Sequence, residues 1–193
     1  MPTRDPEVQE MLDEFALRKL VHTYCRAVDR GDFARLRSLY HRDALDSHGA
    51  LTGSSPGTVT EFLDQLAATR PYIRSMQHNI TTVNFAISGA RAEGEIYTIA
   101  THTVAGGARD VDIVVGGRYL DKYENRDGTW KFVERMIVTD WAHVNDPSSV
   151  NFSHPITAGT PLGAPDETDP SHGFFALLNR PAPPAGHSSR NQA

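Results

Sequence analysis

Apolar residues recur at intervals of mostly three or four through Val8, Met11, Leu12, Phe15, Leu20, Val21, Cys25 and Val28, which predicts an amphipathic helix over residues 7–30. Gly31 ends it, and Asp32 can cap a second helix over residues 33–40 with Phe33, Leu36 and Leu39/Tyr40 inward. Residues 44–51 look like a short strand pair. Residues 58–69 predict a third helix, with Pro71 just beyond its end. From Met76 the period becomes two. The runs 76–87, 92–104, 110–123 and 129–144 are bounded by Ser88-Gly89, Ala105-Gly106-Gly107 and Arg126-Asp127-Gly128. Strands joined by such short turns are antiparallel neighbours. Helices followed by a meander predict an α+β fold, a curled antiparallel sheet with the helices covering one face.

The hairpin over residues 116–135, GGRYLDKYENRDGTWKFVER, carries the sharpest local signal. Asp-Gly between two alternating runs marks a tight turn, because Gly accepts positive φ without strain. Strict alternation puts Trp130, Phe132 and Glu134 on one face and Lys131, Val133, Arg135 and Ile137 on the other. Arg135 is thus expected beside Val133 and Ile137, where a guanidinium needs either a structural carboxylate or a bound anion.

After Asp146 the pattern changes to Pro, Gly, Ser and Asp without sustained period. The expected organisation is one domain over residues 1–146 and an extended tail over 147–193, disordered from about Pro181 onward. Residues 172–178, His-Gly-Phe-Phe-Ala-Leu-Leu, are too apolar to be left in water, so this patch is expected to dock on the domain or a neighbour.

A net charge of −5 without a Lys/Arg cluster argues against nucleic acid or an anionic membrane as partner. No long apolar run suggests a span or a leader, so a cytoplasmic protein is expected. The single Cys25 excludes an internal disulfide and a cysteine zinc site. His22, His41, His48, His143 and His154 show no metal-ligand spacing on a helix, so no metal is expected. Glycine-rich nucleotide loops and a Gly-x-Ser-x-Gly elbow are missing from the sequence, which lowers nucleotide binding and serine hydrolysis.

Four positions could carry chemistry. Asp29 follows Cys25 by four residues and Val21 by eight, near the apolar stripe and at the negative end of the helix dipole. There it is either a base or an exposed residue of the exit turn. His78 shares a strand face with Ile80, Thr82, Asn84 and Ala86, a mixed lining suited to a ligand cavity, or is a satisfied core histidine. His102 alternates with Ile96, Thr98 and Ala100 and could reach the same cavity, or simply pack. Tyr24, five residues before Asp29, could orient a substrate oxygen or be core.

Tyr24-x4-Asp29-Arg30-Gly31-Asp32, the strand His and the 117–132 hairpin together resemble the SnoaL-like group of the nuclear-transport-factor-2-like superfamily over residues 8–146. The resemblance implies a cone of curled antiparallel sheet closed by N-terminal helices around a deep pocket. Its members with known chemistry that look most similar are hexachlorocyclohexane dehydrochlorinase, bile-acid 7α-dehydratase and scytalone dehydratase, which are lyases without a cofactor. Carried over by position, the dehydrochlorinase's dyad falls on Asp29 and His78, its active-site Arg on Arg135, and the dehydratase's Tyr on Tyr24. A further Arg of the bile-acid enzyme is replaced here by Thr139.

The expectation is therefore elimination, meaning dehydration or a related loss such as retro-aldol release of formaldehyde, from an aromatic or polycyclic small molecule. His102, Tyr119, Ile80, Thr82, Phe174 and Phe175 are expected to contact the substrate. Isomerisation or cyclisation by the same dyad remains open, as does a non-catalytic binding protein or oxygenase β-type subunit. The group's habit implies a homodimer or homotrimer.

Overall fold

The computed structural model describes residues 5–49 and 56–176 of the 193-residue chain. Helix α1 (Pro6–Asp29) starts at Asp5, whose carboxylate accepts the Glu7 N–H at 2.9 Å. It ends before Gly31, which takes a φ of 64°. Helix α2 (Phe33–Ser38) is capped by Asp32, which accepts the Arg35 N–H at 3.0 Å. Strand β1 (Tyr40–Ser47) follows, then the short β2 (Gly57–Thr58) and helix α3 (Val59–Thr69). Thr58 and Glu61 exchange hydrogen bonds in a capping box at the start of α3.

Four long strands complete the sheet: β3 (Ile73–Ser88), β4 (Arg91–Ala105), β5 (Asp110–Arg126) and β6 (Thr129–Asn145). The β5–β6 turn places Asp127 at φ 54° and Gly128 at φ 79°, the two positive values that make a two-residue hairpin follow the strand twist. The strand order is β2-β1-β6-β5-β4-β3. The meander is antiparallel as expected, but β1 runs parallel to β6, so the curled sheet is mixed and unclosed.

Helix α1 packs on β3 and β6 through Leu17, Leu20, Val21, Tyr24, Cys25 and Val28. They meet Ile96, Tyr119, Tyr123 and Phe132 in the core. Each such side chain contributes about 1.5–3 kcal/mol by leaving water. The first turns of α1 depart from the expected stripe: Val8, Met11, Leu12 and Phe15 all stand exposed.

Two bulges reset the alternation. In β3, Ile80 pairs with Thr98 and Val83 with Ile96, leaving one extra residue opposite Tyr97. Val83, Phe85 and Ile87 therefore turn toward the core, while Thr82, Asn84 and Ala86 are exposed. In β6, Tyr123 pairs with Phe132 and Lys122 with Glu134, so Val133 is the extra residue. Arg135 consequently joins the buried side of Trp130 and Phe132 rather than that of Val133. A further irregularity sets Gly116 opposite Trp141, where any Cβ would collide with the indole.

Beyond β6, Asp112 holds the chain by accepting Ser148 Oγ at 2.5 Å and the Ser149 N–H at 2.8 Å. The segment then docks at the exit of α1. Buried Asp169, just before the short helix α4 (Pro170–Phe174), accepts the Ala164 N–H at 2.9 Å and lies 3.6 Å from Arg30 Nε. Arg30 Nη1 donates to Ala164 O at 3.2 Å. The polar Asp169–Arg30 contact makes this attachment; within the 172–178 patch, Phe174 is 82% exposed on the single chain. Leu177, Leu178 and the expected disorder from Pro181 lie outside the described residues.

Candidate active site

The last turn of α1 and the start of β3 bring the two principal candidates together. Asp29 is 6% exposed. Its Oδ1 lies 2.6 Å from His78 Nδ1, and its Oδ2 accepts the His78 backbone N–H at 3.0 Å. The carboxylate can only accept, so Nδ1 carries the hydrogen of that bond, and Nε2 is the nitrogen left for another partner. Arg70 Nη2 donates to the Asp29 carbonyl at 2.8 Å, tying off the helix end.

His78 lies on the wall of a partly open cavity of about 660 Å³ between the sheet and helices α1 and α3. Most of the lining is apolar, with Val28, Phe62, Leu66, Met76, Ile113 and Val115 prominent; the polar groups are few, chiefly Tyr24, His48, Thr98, His102, Tyr119 and Arg118. That composition fits a largely apolar ligand oriented by a small number of contacts. The ring of His102 stands edge-on to His78 with centroids 5.4 Å apart. Burial first, and the His78 ring second, push the His102 pKa down to about 4. At neutral pH that imidazole is uncharged. Tyr119 is buried at the cavity wall, and its phenol is raised well above the usual tyrosine value, by burial first.

Arg135 does not reach the cavity. It is fully buried and donates Nε and Nη2 to the two oxygens of Asp121, each at 2.7 Å. Its carbon Cζ lies 4.0 Å from the Tyr24 ring centre and 4.2 Å from those of Tyr119 and Phe132. Of the two partners the sequence allowed, the structural carboxylate is the one present. Asp121 also accepts the Tyr123 hydroxyl at 2.6 Å. The bulge at Val133 is the cause: it turns the guanidinium into the aromatic core behind the cavity wall.

Other expected contacts also move. Ile80 packs against the core outside the cavity, Thr82 is exposed beyond the β3 bulge, and Phe174 and Phe175 do not line the cavity. Tyr24 does, through a network the sequence reading missed. Its hydroxyl lies 3.2 Å from His48 Nε2, His48 Nδ1 hydrogen-bonds Asp46 Oδ1, and Tyr40 donates to Asp46 Oδ2 at 2.8 Å. Asp46 and His48 stand two apart in a strand-like segment, which was the available signal. Burial, then Tyr119, raises the Tyr24 phenol well above its usual value, so it stays protonated. Thr98 Oγ1 is buried at the cavity beside the Tyr119 phenol. Among the described residues no group of three or more His, Cys, Asp or Glu is placed to hold a metal ion.

A family model described as a SnoaL-like domain matches residues 9–136. Solved structures of similar fold include a putative scytalone dehydratase from Novosphingobium aromaticivorans, 19% identical, covering 74% of this chain and 91% of that one with a TM-score of 0.62. A type-3 hexachlorocyclohexane dehydrochlorinase from Novosphingobium barchaimii is 20% identical, with 77% and 99% covered and a TM-score of 0.66. A putative aromatic ring hydroxylase from Novosphingobium aromaticivorans is 20% identical, with 70% and 93% covered and a TM-score of 0.59. At these identities the likeness is one of fold, and the three names differ in chemistry.

Proposed function

The chain belongs to the SnoaL-like family, and from that premise we propose that it is a cofactor-independent lyase acting on a neutral, largely apolar cyclic molecule. The observation that carries this reading is the two-point contact of Asp29 with His78 at the cavity wall. Asp29 fixes the tautomer and favours the imidazolium formed when His78 Nε2 takes a proton from the substrate carbon. The released electron pair forms the double bond as the leaving group departs from the neighbouring carbon. Such a positioned base contributes about 10²–10⁴-fold.

The lining supports the substrate class. Arg118, the cation at the cavity, is engaged by Asp140 at 2.8 Å and 3.0 Å and by Glu95 at 2.8 Å. Thr139, which also lines the cavity, offers no charge for a substrate carboxylate. Neutral His102, Tyr119 and the Thr98 hydroxyl offer uncharged contacts to a substrate oxygen. A homodimer or homotrimer remains part of this reading, supported by the exposed Ile99, Trp141 and Val144 on the central strands. Among the described residues no helix is long and apolar enough to cross a membrane.

The test is conversion of 3-hydroxy-1-tetralone, a neutral bicyclic β-hydroxy ketone, to 1-naphthol and water. Wild-type protein is expected to accelerate it and His78→Gln to lose about 10²-fold or more. Equal rates for the two proteins would overturn the assignment.

A further inference from the structure

The base described above leaves one polar cluster on the same cavity unused. Asp46 is fully buried, with one oxygen on His48 Nδ1 and the other accepting the Tyr40 hydroxyl. The His48 ring is stacked on Phe62 with centroids 4.4 Å apart, and its Nε2 faces the Tyr24 hydroxyl. Tyr24 and His48 both line the cavity that His78 lines. His48 follows β1 and His78 belongs to β3, which stand toward opposite edges of the strand order, so the curl brings a second His–Asp pair to the cavity from the other flank of the sheet.

A carboxylate, an imidazole and a phenol in series are costly to bury, and apolar side chains would fill the same volume without that cost. Elimination supplies a use for them. Hydroxide is a poor leaving group and needs a proton as the carbon–oxygen bond breaks, from a donor other than the base that is gaining one.

We propose that Tyr24, His48 and Asp46 form the general acid of this site, with Tyr24 as the group that touches the leaving oxygen. The inference rests on the lyase reading above. In the step, His78 Nε2 accepts the carbon proton and the C–H electrons form the double bond. The C–O bond breaks, its electrons stay on the oxygen, and that oxygen takes the Tyr24 hydroxyl proton. Tyr24 in turn takes a proton from His48 Nε2, while Asp46 keeps its hydrogen bond to Nδ1. Water is released, His78 has gained one proton and His48 has lost one, and exchange with solvent restores both. Tyr24 is thus a catalytic residue, and His48 and Asp46 supply and orient its proton.

The experiment compares two probes in the full chain: 3-hydroxy-1-tetralone, whose hydroxyl needs a proton to leave, and 3-(4-nitrophenoxy)-1-tetralone, whose nitrophenoxide leaves without one. His48→Gln and Tyr24→Phe should slow loss of water about 10²-fold or more and loss of nitrophenoxide less than about tenfold. His78→Gln should slow both alike. Circular dichroism and melting of each variant establish that it is folded, and Tyr24→Phe, which keeps the ring, serves if His48→Gln is not. If His48→Gln and Tyr24→Phe slow both probes by the same factor, or neither, the acid assignment falls while the His78 base stands. If wild-type protein eliminates neither probe, the lyase reading itself falls and takes this inference with it.

Discussion

Asp29 gives both of its oxygens to one residue, His78: the ring nitrogen takes one at 2.6 Å and the backbone N–H the other at 3.0 Å. The contact therefore locks the helix end to the strand and sets the ring's rotation in the same stroke. A carboxylate that only capped a strand would not need the imidazole, and one that only polarised the ring would not need the backbone.

The two roles separate on substitution. Asp29→Asn retains an oxygen for the His78 N–H but presents the ring with a neutral amide. Activity on hydroxytetralone should fall by about 10²–10⁴-fold. Melting should fall by only about 2–4 °C, the size of a 1 kcal/mol loss in a chain of this length. Unchanged turnover in a folded Asp29→Asn protein would remove the carboxylate from the chemistry.

Arg135 predicts the opposite profile. Its charge is matched inside the core by Asp121, through two hydrogen bonds. Arg135→Met strands that carboxylate, so urea unfolding should show a loss of about 3–5 kcal/mol. Adding Asp121→Leu should return part of it, because the pair together costs less to replace than either half. A stable but inactive Arg135→Met protein would instead restore the guanidinium to the active site.

His102 sets a pH dependence. Its pKa falls from 6.5 in the free residue to about 4 when folded, by burial first and His78 second. Between those values the unfolded chain binds more protons, so stability rises with pH there. The contribution is complete above 6.5 and is lost as the pH falls toward about 4, up to roughly 3 kcal/mol. His102→Gln should flatten that acid limb in unfolding curves taken across the window. Parallel curves for the two proteins would contradict the burial of a neutral ring.

Legibility in the sequence followed how local each cause was. Asp127-Gly128 dictates its turn through two residues, so the hairpin was readable outright. Asp29 was only half readable: helical spacing ties it to Val21 and Cys25, which are buried beside it, but an exposed exit-turn residue fitted the same spacing. The faces of Thr82 and Arg135 were misjudged because an extra residue in each strand breaks the two-residue period, and no residue type announces a bulge there. His48 was dismissed for lacking metal-ligand spacing. Its partners are Asp46, two residues away, and Tyr24, which only the packing of α1 beside the sheet brings near. The buried carboxylate that fastens the tail, Asp169, was not singled out, because its partner Arg30 lies far away in the chain.

The unpaired residue at Val133 also bears on how such a strand can change over generations. One half of β6 stacks Trp130 and Phe132 into the interior, and the other half serves the ligand chamber with Ile137 and Thr139. Excising that one position would rotate Arg135 and everything after it to the reverse side, unpairing Asp121 and rewriting the chamber wall together. A single-codon deletion there would thus be a far more drastic event than most substitutions along the same strand.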